Sequence, residues 1–397
     1  MILSSTQKNA VLKSMAKILE TDRNAIIAAN QLDLQQFAGN DKALFDRLKA
    51  DDKKVHGMIQ SVKEVLEKED PIGNEIYHFR HENGMEVINR TAPFGTIMII
   101  YESRPDVTIE AASIAFKSGN KILLKGGKEA IHSNLKLVEC WHKALTENGL
   151  TTDWIDYFDY NREKTQDFLR NPTQRIDLIV PRGGEGLINF VKTHAKCPVL
   201  VSGRGNNFLY VHPTANLEIA EAIIKNGKLT KISACNALDK VLIDKNLPNY
   251  DLFINKIIED LAAANVEIHI EKDLSKLNNS LIQIENENIW YEEFLDYKIA
   301  IGTAENLEDS IHKINEYCGG HSVTIVAEDK TAAANFMQSI DAAAVYHNAS
   351  TRFTDGGQFG MGAELAISTD KIHHRGPLGL DQLVTNKWFI YGNGQTR

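Results

Sequence analysis

A cysteine performs covalent chemistry only where its sulfur can be reached and ionised, so the four cysteines of this 397-residue chain are best read one at a time. Cys235 lies in KLTKISACNALDKVLI, between an expected helix and an expected strand, with Ser233 and Ala234 before it and Asn236 after it. A thiol in such a loop is a candidate nucleophile, and Cys235 and Asn236 are the candidate catalytic residues. The alternative for any single cysteine is a small buried hydrophobe. Cys140 and Cys197 sit in apolar helical or strand patterns, and Cys318 sits beside paired glycines. There is no CxxC pair and no His or Cys companion at zinc spacing, so neither a metal site nor a disulfide framework is expected.

Two glycine turns could hold phosphate. In IDLIVPRGGEGLINFV an apolar strand runs into Arg182, Gly183, Gly184, Glu185 and Gly186, then into a periodic helix. Bare amides at Gly183 and Gly184 would face a pyrophosphate from the helix N-terminus, unless this is only a turn. In KILLKGGKEA, Lys125 ends a buried-type strand and Lys128 follows two glycines, at the strand end where open sheets bind ligands. Two ammonium groups there could contact a ribose and its 2′-phosphate, or simply be solvated. A strand-linked G-x-G-x-x-G fingerprint is missing from the sequence, so any dinucleotide must be held by other amides.

The stretch HNASTRFTDGGQFGMGAELAIST gathers Ser350, Thr351, Arg352, Thr354 and Asp355 in a glycine-rich loop. An amino-acid substrate needs both signs of charge, and Arg352 and Asp355 would supply them.

The elements that must position these residues follow from periodicity. The first seventy residues read as helices, with Val11, Met15, Ile18 and Leu19 at three-to-four spacing. EIYHFRHENGMEVINR (75–90) reads as a β-hairpin in which Asn83 and Gly84 supply the two positive-φ residues of a type I′ turn. Its charged strands suit an arm that pairs with another subunit, or an ordinary surface hairpin. Apolar strands then alternate with helices: strands at 96–100, 121–125, 176–180, 198–201, 208–211, 240–243, 266–270, 298–301 and 323–326, helices between them, and a closing strand in VTNKWFIYGNG. That alternation implies parallel, doubly covered sheets.

Composition narrows the function. With 43% hydrophobic and 24% charged residues the chain is globular, and its length fits roughly two to three domains. A net charge of −9 argues against a nucleic-acid binder and for a small-molecule substrate. No apolar run approaches the ~18 to 20 residues that span a bilayer. The opening MILSSTQKNAVLKSMAKILE puts lysines where a signal peptide is apolar, so a cytoplasmic protein without membrane contact is expected.

Taken together, IIYESRPDVT (99–108), SGNKILLKGGKEA (118–130), IDLIVPRGGEGLI (176–188), VLVSGRGNNFLYVH (199–212), CNAL (235–238) and NASTRFTDGGQFGMGAELAIST (348–369) resemble the gamma-glutamyl phosphate reductases of the aldehyde dehydrogenase superfamily. The resemblance runs over nearly the whole chain. It implies an α/β, aldehyde dehydrogenase-like fold with two parallel-sheet α/β domains and a small β-hairpin oligomerisation element. The expected divisions are an NADP-binding domain at 1–75 and 92–229, a catalytic domain at 230–365, and an arm with a C-terminal strand at 76–91 and 366–397. The nicotinamide is then expected near the cysteine, between the larger domains.

Residue by residue, the resemblance makes Cys235 the nucleophile, Lys125 a contact of the adenosine ribose, and Gly183 with Gly184 the pyrophosphate turn. Lys128 stands where NAD-preferring relatives often carry Glu, which favours NADP(H). Glu293, in WYEEFLD, resembles the nicotinamide-ribose ligand. Arg104, in the ESRP turn, lies near the expected oxyanion-hole position, so backbone N–H groups including that of Cys235 take that role. The glutamate that activates water elsewhere in the superfamily aligns with Val201, which suits an enzyme that must not hydrolyse its acyl intermediate. INEYCGGHSVTI (314–325) departs from the family's Gly-Ser-Gly-His pattern, and His321 is carried as a substrate contact across that departure.

The expected reaction is NADPH-dependent reduction of L-glutamyl 5-phosphate to L-glutamate 5-semialdehyde through a Cys235 thioester, the second step of proline biosynthesis. A separate glutamate 5-kinase would supply the acyl phosphate as a transient partner, and a homo-oligomer is expected. The competing readings are a non-phosphorylating aldehyde dehydrogenase and an inactive scaffold of the same fold.

Overall fold

The computed structural model describes residues 3–39, 42–274 and 281–397. The chain forms two compact units. The first comprises Met1–Val201, Gly360–Ala366 and Leu378–Arg397, and the second comprises Ser202–Phe359 and Ile367–Pro377.

The first unit is built on a four-stranded parallel sheet in the order Ile155–Tyr157, Lys121–Lys125, Thr96–Tyr101, Leu178–Arg182. Its central strand is the expected TIMII run, and Ile97, Met98 and Ile99 are fully buried. The helix Pro105–Lys117 is buried nearly all round, its polar side chains such as Asp106 and Lys117 included, as an element packed on every side must be. Outside it lies the expected helical layer. Ser5–Thr21 opens with a capping box in which Ser4 and Gln7 satisfy each other's first-turn groups, and it buries Val11, Leu12, Met15 and Leu19. Each such buried side chain contributes about 1.5–3 kcal/mol of transfer free energy. No helix among the described residues is long and apolar enough to cross a membrane.

A three-stranded antiparallel ribbon belongs to the same unit, with Glu86–Pro93 between Glu75–Arg80 and Val384–Tyr391. The hairpin exists where the sequence puts it, but its turn differs. Only Gly84 takes a left-handed φ, at +86°. The His81 N–H donates to the Met85 carbonyl at 2.8 Å and the Gly84 N–H to the His81 carbonyl at 2.9 Å, so the loop is longer than a two-residue type I′ turn. Asn83 instead accepts the Met85 N–H on its side-chain oxygen, which keeps its own backbone out of the left-handed region.

The second unit carries a seven-stranded parallel sheet in the order Ile282–Gln283, Glu267–Ile270, Lys298–Ala304, Leu238–Asp244, Asn207–Val211, Ser322–Val326, Ala344–His347. Apolar clusters cover both faces, as the near-continuous hydrophobic strands require. The chain divides at Val201 and Ser202, earlier than the expected 229/230, because Asn207–Val211 pairs with Leu238–Asp244 and Ser322–Val326 and so belongs to the larger sheet. The segment 198–201, expected as a strand, makes only one isolated bridge, Ile179 with Val199. The C-terminal stretch is divided too: Val384–Tyr391 completes the ribbon, while 367–377 packs with the second unit.

Candidate active site

In the second unit the helix Leu217–Leu229 ends, and residues 231–237 form a run of turns before Leu238–Asp244 begins. Cys235 and Asn236 are the central pair of one turn, closed by the Ala237 N–H on the Ala234 carbonyl at 2.9 Å. The Cys235 side chain is partly exposed. The other three cysteines are held away from ionisation: burial pushes the Cys140 thiol up to about 12 and raises those of Cys197 and Cys318. A thiol with a raised pKa carries less of the reactive thiolate.

The cysteine turn is clamped from beneath by Asn207, a fully buried residue at the start of the neighbouring strand. Its Nδ2 donates to the carbonyls of Gly205 at 2.8 Å, Cys235 at 2.8 Å and Ala237 at 2.6 Å. Its Oδ1 accepts the Ser322 N–H at 3.0 Å. One buried amide therefore ties the beginnings of three parallel strands to the Cys235 backbone. Gly205 must be glycine, because a Cβ there would strike the Cys235 carbonyl and lie 2.6 Å from Glu293 Oε1. That close approach brings the Glu293 carboxylate beside the cysteine backbone.

Glu293 is positioned by its neighbours. Lys240 donates to the Glu292 carbonyl at 2.8 Å, and the Phe294 N–H donates to Asp239 at 2.8 Å. Lys240 Nζ stands 3.4 Å from the centre of the Phe294 ring, a cation–π contact, and Asp239 pairs with buried Lys228 at 3.0 Å. Burial lowers the Lys240 ammonium to about 7, against the pull of Asp239.

The glycine-rich loop meets the cysteine turn directly. Asn236 Nδ2 donates to the carbonyls of Arg352 at 3.2 Å and Thr354 at 2.9 Å, and Thr351 Oγ1 donates to the Asn236 carbonyl at 2.8 Å. Ser350 caps the short 3₁₀ turn Thr351–Phe353 by accepting the Arg352 N–H, so the hydroxyls of Ser350 and Thr351 are both engaged within the protein. Asp355 Oδ1 accepts the N–H groups of Gly357 at 2.9 Å and Gln358 at 3.2 Å. His321 is fully buried. Its Nδ1 shares a 2.8 Å hydrogen bond with Ser322 Oγ, which continues through Thr354 Oγ1 at 2.6 Å to Tyr346 OH at 2.7 Å. His321 thus reaches the site through Ser322 and Thr354, and burial lowers its pKa to about 4, leaving it neutral. Gly319 before it is required by packing, since a Cβ there would collide with the Arg204 carbonyl.

In the first unit Lys125, Lys128, Gly183 and Gly184 lie at the carboxyl ends of the parallel strands. Lys125 donates to the Gly126 carbonyl at 2.7 Å, and burial lowers its pKa. Lys128 is exposed in the 3₁₀ turn that follows. Gly184 caps the ten-residue helix Glu185–His194, and its N–H donates to Glu102 Oε1 at 3.3 Å. A Cβ at Gly183 would lie 2.6 Å from the Glu102 carboxyl carbon. An internal carboxylate therefore stands where a phosphate would meet this helix, and the donor set fits such an anion. Arg104 precedes the helix Pro105–Lys117 and lies 3.8 Å from Asp106. Val201 is buried and apolar, so that position carries no water-activating carboxylate. Among the described residues, no group of His, Cys, Asp or Glu could hold a metal ion.

Residues 3–276 match the aldehyde dehydrogenase family. The chain is 39% identical to the gamma-glutamyl phosphate reductase of Dictyoglomus thermophilum, with 100% of this chain and 95% of that protein aligned. It is 41% identical to the one from Persephonella marina, over 98% and 89% of the two chains. The chain belongs to the gamma-glutamyl phosphate reductases of the aldehyde dehydrogenase family. A solved gamma-glutamyl phosphate reductase from Thermotoga maritima superposes with a TM-score of 0.95 at 37% identity, covering 100% of this chain and 95% of that one. An acetylating aldehyde dehydrogenase from Geobacillus thermoglucosidasius, at 16% identity and a TM-score of 0.69 over 100% and 93% of the two chains, shares the fold.

Members of this family are oxidoreductases. The sequence singled out Cys235, Asn236, Arg352 and Glu293, which the second unit gathers around one turn. It gave no sign of Asn207, Ser322, Lys240 or Glu102. Each of these acts on residues distant in sequence, and the only available signal was a polar residue at the edge of an apolar strand.

Proposed function

We propose that the chain reduces L-glutamyl 5-phosphate to L-glutamate 5-semialdehyde with release of phosphate, using Cys235 as the nucleophile and NADPH as the reductant. The observation that carries this reading is the partly exposed Cys235 turn, stitched to the Arg352 loop, in a chain whose other thiols burial holds protonated.

In this reading the Cys235 sulfur attacks the γ-carbonyl carbon. The sulfur–carbon bond forms, the bond from that carbon to the phosphoryl oxygen breaks, and the acyl group passes to the thiol. Asn207 and Asn236 hold the turn so that the sulfur keeps its aim. The Cys235 backbone N–H would serve the carbonyl oxygen as charge develops there. NADPH, when bound, supplies the hydride that carries the thioester to the aldehyde. Lys125, Lys128, Gly183 and Gly184 would hold the adenosine ribose, its 2′-phosphate and the pyrophosphate, with Glu293 on the nicotinamide ribose. Arg352 and Asp355 would contact the substrate, with Ser350, Thr351 and His321 holding their loop through hydrogen bonds inside the protein; Arg104, in the ESRP turn, is a further proposed substrate contact. Val201, at the position where the resemblance aligns the superfamily's water-activating glutamate, supplies no such base.

The acyl phosphate would be supplied by a kinase acting on the γ-carboxylate of glutamate, met as a separate and transient partner in the cytoplasm. Homo-oligomer formation through the ribbon is supported by exposed Ile76, Tyr77, Phe79, Trp388 and Ile390. The deciding experiment is oxidation of glutamate 5-semialdehyde by the purified chain, with and without inorganic phosphate, using NADP and NAD in parallel. Phosphate-dependent turnover with NADP supports the reading, and turnover indifferent to phosphate overturns it.

A further inference from the structure

We propose that Arg352 is the phosphoryl-binding residue of this site: its guanidinium takes the phosphate of the incoming acyl phosphate, and inorganic phosphate in the reverse direction, rather than the substrate's α-carboxylate. The inference rests on the acyl-phosphate reading above and specifies which end of the substrate this side chain holds.

A guanidinium presents five N–H donors in one plane, and a buried donor left without an acceptor is destabilising. Arg352 Nε and Nη1 are both buried and find no acceptor among the described residues. Asp355, the nearby carboxylate, turns Oδ1 to the backbone N–H groups of Gly357 and Gln358. The fold therefore holds donors in readiness for an anion from outside, beside a reacting thiol.

Position decides which anion. The backbone of Arg352 is bonded to Asn236, the residue next to the nucleophile, and Thr351 is bonded back to Asn236. Burial lowers the Arg352 pKa, and the Cys235 and Asp355 side chains are near enough to oppose that by favouring the cation. In a glutamyl phosphate the phosphoryl group hangs on the very carbon the sulfur attacks, whereas the α-carboxylate stands at the far end of the carbon chain. A cation placed beside the sulfur thus meets the phosphoryl oxygens first. Nε and Nη1 lie on different edges of the guanidinium, so each offers its own charge-assisted hydrogen bond to a phosphoryl oxygen. The step balances: the sulfur–carbon bond forms, the carbon–oxygen bond to phosphorus breaks, and the thiol proton ends on the departing phosphate, which leaves as hydrogen phosphate against Arg352.

The test uses the phosphate-dependent oxidation of glutamate semialdehyde with Arg352→Lys and Arg352→Gln. The expected result is a KM for phosphate raised at least tenfold in Arg352→Gln and less in Arg352→Lys, with the KM for the semialdehyde within a factor of about three. A raised semialdehyde KM with an unmoved phosphate KM assigns Arg352 to the α-carboxylate and overturns the proposal, as do equal rises in both or no change in either. A second arm needs no variant. Inorganic phosphate should slow alkylation of Cys235 in the wild-type protein, while glutamate at equal concentration should not; no protection by phosphate overturns the assignment. A wild-type enzyme that oxidises the semialdehyde equally well without phosphate sinks the acyl-phosphate reading itself, an outcome distinct from failure at Arg352.

Discussion

The side-chain nitrogen of Asn207 lies 2.8 Å from the carbonyl oxygen of Cys235. The same nitrogen serves the carbonyls of Gly205 and Ala237, and the side-chain oxygen serves the Ser322 N–H, all in a fully buried setting. Asn207→Ala strands several backbone groups at once, and about 2–4 kcal/mol of stability should be lost. Because the amide aims the nucleophile without touching a ligand, kcat should fall at least tenfold while the KM for NADP stays within a factor of about two. Denaturant unfolding and steady-state kinetics measure the two effects. An unchanged kcat in a destabilised variant would reduce Asn207 to a structural role.

Cys235→Ala should abolish phosphate-dependent turnover and leave the unfolding midpoint nearly unmoved, since the side chain is partly exposed and fills no core. Cys140→Ala should do the reverse, because Cys140 is fully buried in the first unit's core. Activity assays alongside thermal melts of both variants decide the matter, and residual turnover in the Cys235 variant counts against a thioester.

Lys128 is exposed in the turn after Gly127, so its charge can be reversed at little cost to folding. Lys128→Glu should raise the KM for NADP at least tenfold and leave that for NAD similar or lower, since a carboxylate repels a 2′-phosphate and accepts ribose hydroxyls. Equal KM changes for both cofactors would remove Lys128 from cofactor choice.

His321 titrates down near 4 in the folded chain because burial disfavours its charge, whereas an unfolded histidine titrates near 6.5. Between those values the unfolded state binds a proton that the native state refuses. Stability should therefore fall as pH drops through this window, by at most about 1.4 kcal/mol per pH unit from this group. His321→Gln should flatten that part of the urea midpoint against pH, and an identical acid slope would contradict the assignment.

Lys240 acts with the same sign in an alkaline window. Its folded value of about 7 lies below that of an unfolded lysine, so the native state sheds its proton first and stability should rise as pH climbs from 7 toward 10. Lys228 and Lys298 add to the effect by repulsion, while Asp239, Glu292 and the Phe294 ring oppose it by favouring the cation. Lys240→Met should lessen this alkaline rise, read from unfolding midpoints at pH 7 and 9.5.

Periodicity was enough to place the helical layer, the buried strands and the hairpin, because each is set by side chains a few residues apart. The Cys235 turn was legible for the same reason: small residues interrupt two apolar patterns there. What stayed hidden depends on distant partners. Nothing local tells that 198–201 gains only a single bridge, that Asn207–Val211 joins the larger sheet, or that Glu102 meets Gly184. The lysines and glycines proposed for the cofactor lie at strand carboxyl ends, where open α/β sheets advertise their ligands. Cys235 precedes its strand, and that general rule does not reach it.

The first unit does not finish where its sheet does. Ser118 and Asn120 donate to the carbonyls of Leu380 at 3.0 Å and Leu383 at 2.9 Å, and Val384–Tyr391 covers one edge of Glu86–Pro93. A ribosome must therefore deliver the entire 202–359 segment before that edge can be covered. Throughout this interval an unpaired strand is open to misassembly with neighbouring nascent chains, and a product truncated before residue 384 would keep that edge open for good.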